Sequence, residues 1–272
     1  MPARFAIIGY GAITEEIVRV LDERRLLADL AGILVRPARL DEARRRAAGR
    51  FPVFGGVDEL LHAGPGLVAE CAGHGAMREY ASAILQARVP LLCSSVGVLA
   101  DAAFAAELMQ TAGCDGLLVP SGAIAGIDGL LAARTAGLAQ AQYTSVKPPA
   151  AWIGTPGERL VDSGRRAVLF EGTAREAALA YPKNVNVGVT VALAGLGMDR
   201  TRVSLVSDPA ASGPLGIIEA AGDFGTFRFE ILAYASPSNP KTSLLTAHSI
   251  VAAAYTGVSF PAAQGLRGGS AP

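Results

Sequence analysis

Two glycines in the stretch Gly9-Tyr10-Gly11-Ala12-Ile13-Thr14 lie between a short apolar run and an amphipathic segment. In a strand–turn–helix setting the first glycine permits the tight turn and the second lets the backbone approach a pyrophosphate. The amides opening the helix then face its negative charge. The chemistry implied is dinucleotide binding, with Gly9, Gly11, Ala12 and Ile13 as contacts. The alternative is a glycine-rich turn in an unrelated α/β protein. Thr14 stands where a third small residue would ease helix–strand packing, and it is larger. The second strand ends at Val35-Arg36 with no acidic residue at its tip. An Asp or Glu there would bind the ribose hydroxyls of NAD. Arg36, with Arg39 nearby, either suits the 2′-phosphate of NADP or stays exposed against the adenine. The cofactor expected is NAD or NADP.

The titratable groups come next. The histidines are His62, His74 and His248. His74 follows the carboxyl end of a strand, on the side where an open α/β sheet binds ligand, so it is a candidate catalytic group. A helix-start or cofactor-loop role is the alternative. His248 lies inside the terminal helix and reads as structural, and His62 as a surface residue. Arg165 and Arg166 could pair with a substrate carboxylate, whereas Arg44-Arg45-Arg46 reads as a solvated helix face. Cys71, Cys93 and Cys114 show neither a CxxC pair nor metal-ligand spacing, so reduced, buried thiols and no metal are expected.

The elements that must position these groups alternate through the first half of the chain, as in an α/β fold with a parallel sheet. Strands are expected at residues 5–8, 30–35, 53–54, 67–72, 90–94 and 116–120. Helices are expected after the glycine turn, at 40–48, 57–61 and 77–87, and from Asp101 to Thr111. Five or six strands in this space match a doubly wound, Rossmann-type nucleotide-binding domain. Past Ser121 the pattern changes. Alternating segments at 143–147, 202–206, 217–221 and 226–231 imply a mixed or antiparallel sheet half covered by helices such as 185–196. Residues 242–256 read as a final helix, followed by a frayed tail.

Composition narrows the classes. Hydrophobic residues make up 51% and charged ones 18%, so the chain folds and is not disordered. Lysine plus arginine equals aspartate plus glutamate at 24 each, which argues against a nucleic-acid partner. No apolar run reaches the ~18 residues of a membrane span. A cytoplasmic protein with a small-molecule substrate is expected.

Several blocks in order resemble the L-aspartate dehydrogenases. They are Gly9-Tyr10-Gly11-Ala12-Ile13, Glu70-Cys71-Ala72-Gly73-His74, Ser94-Ser95-Val96-Gly97 and Pro120-Ser121-Gly122-Ala123-Ile124-Ala125-Gly126. Lys147-Pro148-Pro149, Pro182-Lys183-Asn184-Val185-Asn186-Val187, residues 194–201 and Asn239-Pro240-Lys241-Thr242-Ser243 continue the series to about residue 254. The resemblance implies a Rossmann domain, residues 1–120 rejoined by 240–262, and an α/β domain, 121–239, carrying substrate contacts and a homodimer interface. It implies oxidation of L-aspartate to iminoaspartate, which is hydrolysed to oxaloacetate or used in quinolinate synthesis. Ala123 and Asn186 match cofactor contacts near the nicotinamide; Asn184 has no such match. Lys147, Lys183 and Lys241 fall in shared motifs and could orient carboxylates or tie domains together, with Lys147 a candidate catalytic residue. One departure stands out. The family's catalytic histidine, in a segment reading Asn-Val-His-Glu-Ile-Glu, corresponds here to Pro214-Leu215-Gly216-Ile217-Ile218-Glu219, so Gly216 replaces a proton relay. This leaves room for a same-fold enzyme with another amino-acid-like substrate, or for a cofactor-binding relative with little activity.

Overall fold

The computed structural model describes residues 4–111, 116–162, 164–236 and 239–266, without the side chains of 235–236 and 239–242. Cys114 and the side chain of Lys241 therefore lie outside the described residues. The apolar run Phe5–Ile8 forms β1 and is buried at all four positions, because a central parallel strand is covered on both faces. In α1 (Ala12–Glu23) Ile17, Val18, Val20 and Leu21 are buried. On its exposed side Arg19 bridges Glu16 and Glu23. The chain continues through β2 (Leu30–Leu34), α2 (Leu40–Ala47), β3 (Val53–Phe54), α3 (Val57–His62), β4 (Leu67–Glu70), α4 (His74–Gln86), β5 (Leu91–Cys93), α5 (Ala102–Gln110) and β6 (Leu117–Val119). These strands lie in the order β6-β5-β4-β1-β2-β3, and every pair among them is parallel. The order reverses at β1, which makes the carboxyl ends of β1 and β4 the topological switch point where such sheets bind ligands. Boundaries move by a residue or more from the sequence expectation. α2 stops because Ala48 turns left-handed at φ 50°, and α4 starts at His74 rather than at Met77.

The following stretch builds a different sheet. Its elements are α6 (Ile127–Thr135), β7 (Leu138–Lys147), β8 (Ala167–Thr173), α7 (Ala174–Ala180), α8 (Asn186–Ala194), β9 (Arg202–Ser207), β10 (Leu215–Gly222) and β11 (Gly225–Leu232), then a small ribbon of β12 (Ala235–Ser236) and β13 (Asn239–Ser243). The five larger strands lie in the order β11-β10-β7-β9-β8. Only the β7–β9 pair is parallel; the others are antiparallel. α8 is apolar almost all round, and Val189, Val191, Ala192, Leu193 and Ala194 are fully buried, as an all-apolar helix requires.

α9 (Leu244–Thr256) and β14 (Phe260–Pro261) rejoin the first sheet, and α10 (Ala263–Leu266) ends the described chain. β14 adds an antiparallel edge beside β6. Ala247, Ile250, Val251 and Ala253 of α9 enter the same core as Phe5, Ile7, Ile17 and Leu21. Two compact units result. One comprises Met1–Ser95, Ala103–Pro120 and Thr246–Ala262, and the other Val96–Ala102, Ser121–Leu245 and Ala263–Pro272.

Candidate functional site

In the first unit the glycine turn joins β1 to α1. Gly9 has φ +94°, and a Cβ there would stand 2.7 Å from that of Ala72, so no other residue fits. Its amide donates to the Leu34 carbonyl at 2.8 Å. Thr14, which departs from the small residue expected, is fully buried, and its hydroxyl donates to the Gly9 carbonyl at 2.8 Å. The larger residue therefore staples the turn to the helix. Gly11 is the N-cap of α1, with extended backbone and no side chain capping the helix. A Cβ at Gly11 would meet nothing within 4 Å. The helix start at Gly11 thus opens onto unfilled space, as an anion-binding site needs.

That space is part of a cavity of about 490 Å³ lined by Gly9, Tyr10, Gly11, Arg36, Arg39 and Arg46, among others. Its volume falls in the ~300–1,000 Å³ range of small-molecule sites. Arg46 does not belong to a solvated face with its exposed neighbours Arg44 and Arg45. Its guanidinium lies 4.2 Å from the centre of the Tyr10 ring, donates to the Tyr10 carbonyl at 3.1 Å and pairs with Glu15. Arg39 is held by Glu42 at 2.7 Å. Arg36, just beyond β2, is exposed and has no ion-pair partner among the described residues. Glu42 and Glu79 also line the cavity, so the cradle mixes both signs of charge.

Glu70, the last residue of β4, is a site residue to which no sequence motif gives a task. It is fully buried, yet its carboxylate accepts from the amides of Ala72 at 2.7 Å, Gly73 at 2.6 Å and Ser95 at 3.1 Å, and from the Ser95 hydroxyl at 3.1 Å. Burial pushes its pKa above the ordinary value, against these hydrogen bonds. One side chain thereby fixes the turns after β4 and β5. An acidic residue closing an apolar strand ahead of small residues was the available signal. His74 opens α4, whose Gly75 and Ala76 line the cavity although His74 does not. His62 is exposed, with Nδ1 2.7 Å from the Asp58 carbonyl of its own helix. His248 Nε2 lies 3.2 Å from Glu16. Cys71 and Cys93 are free thiols whose pKa values burial pushes well up.

In the second unit Asn186 opens α8, and its Oδ1 accepts from the Gly97 amide at 2.9 Å. Asn184 precedes the helix, and Lys183 is exposed. Ala123 is half-buried beside buried Ile124. Gly216 lies on β10 opposite Ser145 of β7. A Cβ at Gly216 would be 3.0 Å from Ile124 Cδ1 and 3.3 Å from the Tyr143 hydroxyl. Tyr143 is buried, which raises its pKa to about 12. Lys147 ends β7, half-buried, with Nζ 5.3 Å from the centre of the Trp152 ring, and burial lowers its pKa. Arg165 and Arg166 are both exposed, the latter 3.8 Å from Asp208. Among the described residues no cluster of three or more His, Cys, Asp or Glu could hold a metal ion, and no helix is long and apolar enough to cross a membrane.

Residues 9–117 match the family model for the homoserine dehydrogenase NAD-binding domain, and residues 128–256 the model for the aspartate dehydrogenase C-terminal domain. The chain is 43% identical over 255 residues to an L-aspartate dehydrogenase of Ruegeria pomeroyi, covering 92% of this chain and 90% of that one. It is 41% identical to an L-aspartate dehydrogenase of Pseudomonas aeruginosa, covering 91% and 94%. Among solved structures, an aspartate dehydrogenase from Thermotoga maritima superposes with a TM-score of 0.67 at 25% identity, over 92% of this chain and 94% of that one. A myo-inositol dehydrogenase from Corynebacterium glutamicum shares the fold, with a TM-score of 0.57 at 14% identity over 98% and 93%.

Proposed function

The chain belongs to the L-aspartate dehydrogenase family, and on that footing we propose how its residues serve an NAD(P)-dependent oxidoreductase acting on a CH–NH2 group. The substrate is L-aspartate, converted to iminoaspartate and, on hydrolysis, to oxaloacetate and ammonia; the reverse direction aminates oxaloacetate. The observation that carries the reading is the uncapped start of α1 above Gly11, where a side chain is absent and space is open. Gly9 and Gly11 let the backbone approach the pyrophosphate, and the amides over Ala12 and Ile13 receive its charge. Arg36 meets the adenosine ribose, as a partner for either the hydroxyls of NAD or the 2′-phosphate of NADP. In the second unit Ala123 and Asn186 are cofactor contacts by their positional match. A bound nicotinamide supplies the hydride acceptor for the amino-bearing carbon.

His74, at the start of α4 after the carboxyl end of β4, and Lys147, at the end of β7, are the candidates for handling substrate charge and protons. Gly216 supports a second reading. It brings no titratable group to the position where the resemblance places a histidine, and Ile124 crowds the space beside it. A substrate other than aspartate, or weak turnover, would follow. A homodimer in the cytoplasm is proposed on the resemblance, and light scattering of the purified protein tests the dimer.

The test supplies L-aspartate with NAD or NADP, and separately oxaloacetate and ammonium with the reduced cofactors, following reduced-nicotinamide absorbance. Turnover in either direction supports the first reading. Tight cofactor binding without turnover of either substrate overturns it and favours the second.

A further inference from the structure

At the carboxyl end of β7 the second unit holds three hydrogen-bond donors, one half-buried and two fully buried, that the described residues leave without acceptors. Lys147 is the first. Among the described residues its Nζ meets no carboxylate and donates no hydrogen bond; its only close polar contact is the face of Trp152, 5.3 Å away. The second is Trp152 itself, fully buried at the end of the short turn Pro149–Trp152, with its Nε1 unpartnered. The third is Ser207, also fully buried, whose Oγ has no partner. Ser207 is the residue opposite Lys147 in the parallel β7–β9 register, so the two side chains leave the sheet on the same face.

The nearby carboxylate does not serve them. Asp208 follows the end of β9 and is engaged elsewhere. Its amide donates to the Lys147 carbonyl at 2.9 Å, while its carboxylate accepts from the Ala210 amide at 2.9 Å and faces Arg166 at 3.8 Å. Folded proteins satisfy the large majority of their buried polar groups. An ammonium and a hydroxyl paired in register on one face, with an indole ring centred 5.3 Å from the ammonium, can all donate, and an anion would satisfy them. Another unpartnered hydroxyl, that of Thr201, precedes the opposite end of β9.

We propose that Lys147, Trp152 and Ser207 form a carboxylate-binding subsite. Its occupant is one of the two carboxylates of the substrate, an assignment that rests on the function proposed above. Lys147 is then a binding residue that carries charge recognition, rather than a proton carrier. The fold tolerates it unpaired because the ligand completes it.

The test uses the full chain saturated with NAD and the unreactive dicarboxylate succinate as probe, with butyrate as its monocarboxylate counterpart. Calorimetric titration should show succinate bound more tightly than butyrate. Lys147→Met should lower succinate affinity about 10- to 100-fold, the usual span for loss of a hydrogen bond to a charged group, with NAD affinity unchanged. Lys147→Arg should retain most of it. In turnover the same loss should appear as a raised KM for oxaloacetate, with kcat altered less. A purely structural lysine would lower the melting temperature when replaced. A ligand-completed one should leave it unchanged or raise it, because a half-buried unpaired charge is removed. Should Lys147→Met fail to fold, Trp152→Phe keeps an aromatic ring, though a smaller one, removes the N–H and should weaken succinate about 5-fold. Unchanged succinate affinity in the variants, or no succinate binding by the wild type, overturns the subsite. If the wild type binds succinate through Lys147 yet turns over neither aspartate nor oxaloacetate, the subsite stands and the function falls.

Discussion

Adding one methyl group at Gly9 or at Gly11 should have opposite consequences. At Gly9 the new Cβ would lie 2.7 Å from that of Ala72, on a backbone with φ +94°. Gly9→Ala should therefore cost about 1–3 kcal/mol of stability and lose cofactor affinity as well. At Gly11 a Cβ meets nothing within 4 Å, so Gly11→Ala should leave the melting temperature unchanged or slightly raised. The same methyl would project into the space above α1, and NADH affinity should fall about tenfold or more, roughly 1.4 kcal/mol. Fluorescence titration and thermal melting of both variants separate the two effects. These glycines were legible because a tight turn and a close approach admit few residue types. Glu70 was less so: an acid closing an apolar strand marks the position but not the four donors that converge on it. Its titration gives a second prediction. Burial raises its folded pKa above the unfolded value, so the folded chain keeps this proton to higher pH. Between the two values unfolding releases a proton, and stability falls as pH rises through that window, which begins in the ordinary carboxylate range. Glu70→Gln should lack this decline and, near neutral pH, should be less stable by about 1–3 kcal/mol, because its NH2 would face an N–H donor. Urea titrations across the window measure both.

Among the elements, the strands that alternate regularly were readable in advance and the irregular ones were not. β7, β9, β10 and β11 are all placed by their sequence, each shorter than it is, β7 by the most. β8 escaped because its register with β9 slips between Val168 and Phe170, which breaks the alternation that identifies a strand. α7 was missed despite a legible signal, the capping box of Thr173 and Glu176. α6 carries Gly129 beside Phe229, and a glycine inside a helix weakens its pattern. The same strand geometry governs position 216. β10 presents it beside Tyr143 and Ile124, so a histidine there must first displace the Ile124 methyl 3.0 Å from its Cβ. Gly216→His alone should therefore raise oxaloacetate amination less than about tenfold. Combined with Ile124→Val it should approach the ~10²–10⁴-fold that a positioned proton carrier contributes. Equal kcat for the single and double variants would show that crowding by Ile124 is not the obstacle.

At the scale of the whole molecule, the first unit is not a contiguous stretch of chain. Its sheet and core take in a helix and a strand more than 120 residues downstream of β6. α9 supplies Ala247, Ile250, Val251 and Ala253 to the core around β1 and α1. Tyr255 sets its ring edge against Phe5 at 6.2 Å and donates its hydroxyl to Asp29 at 2.6 Å. β14 covers the edge of β6 that would otherwise lie open. Burying a large apolar side chain contributes about 1.5–3 kcal/mol, and a whole domain is stable by only ~5–15 kcal/mol. Losing α9 and β14 together therefore removes a sum comparable to the entire stability of the unit. A chain ending at Ser243 should lose the cooperative melting of the first unit, and its NADH binding with it, although every glycine-turn residue is still present. Tyr255→Phe in the full chain keeps the ring and removes one hydrogen bond to a carboxylate, so it should cost only about 1.5–3 kcal/mol. Calorimetry of the two proteins decides the matter. A shortened chain that still melts cooperatively and binds NADH would mean that residues 4–120 hold the cofactor fold on their own. A Tyr255→Phe variant as damaged as the truncation would place the strength of the return in one hydrogen bond instead of in the buried face of α9.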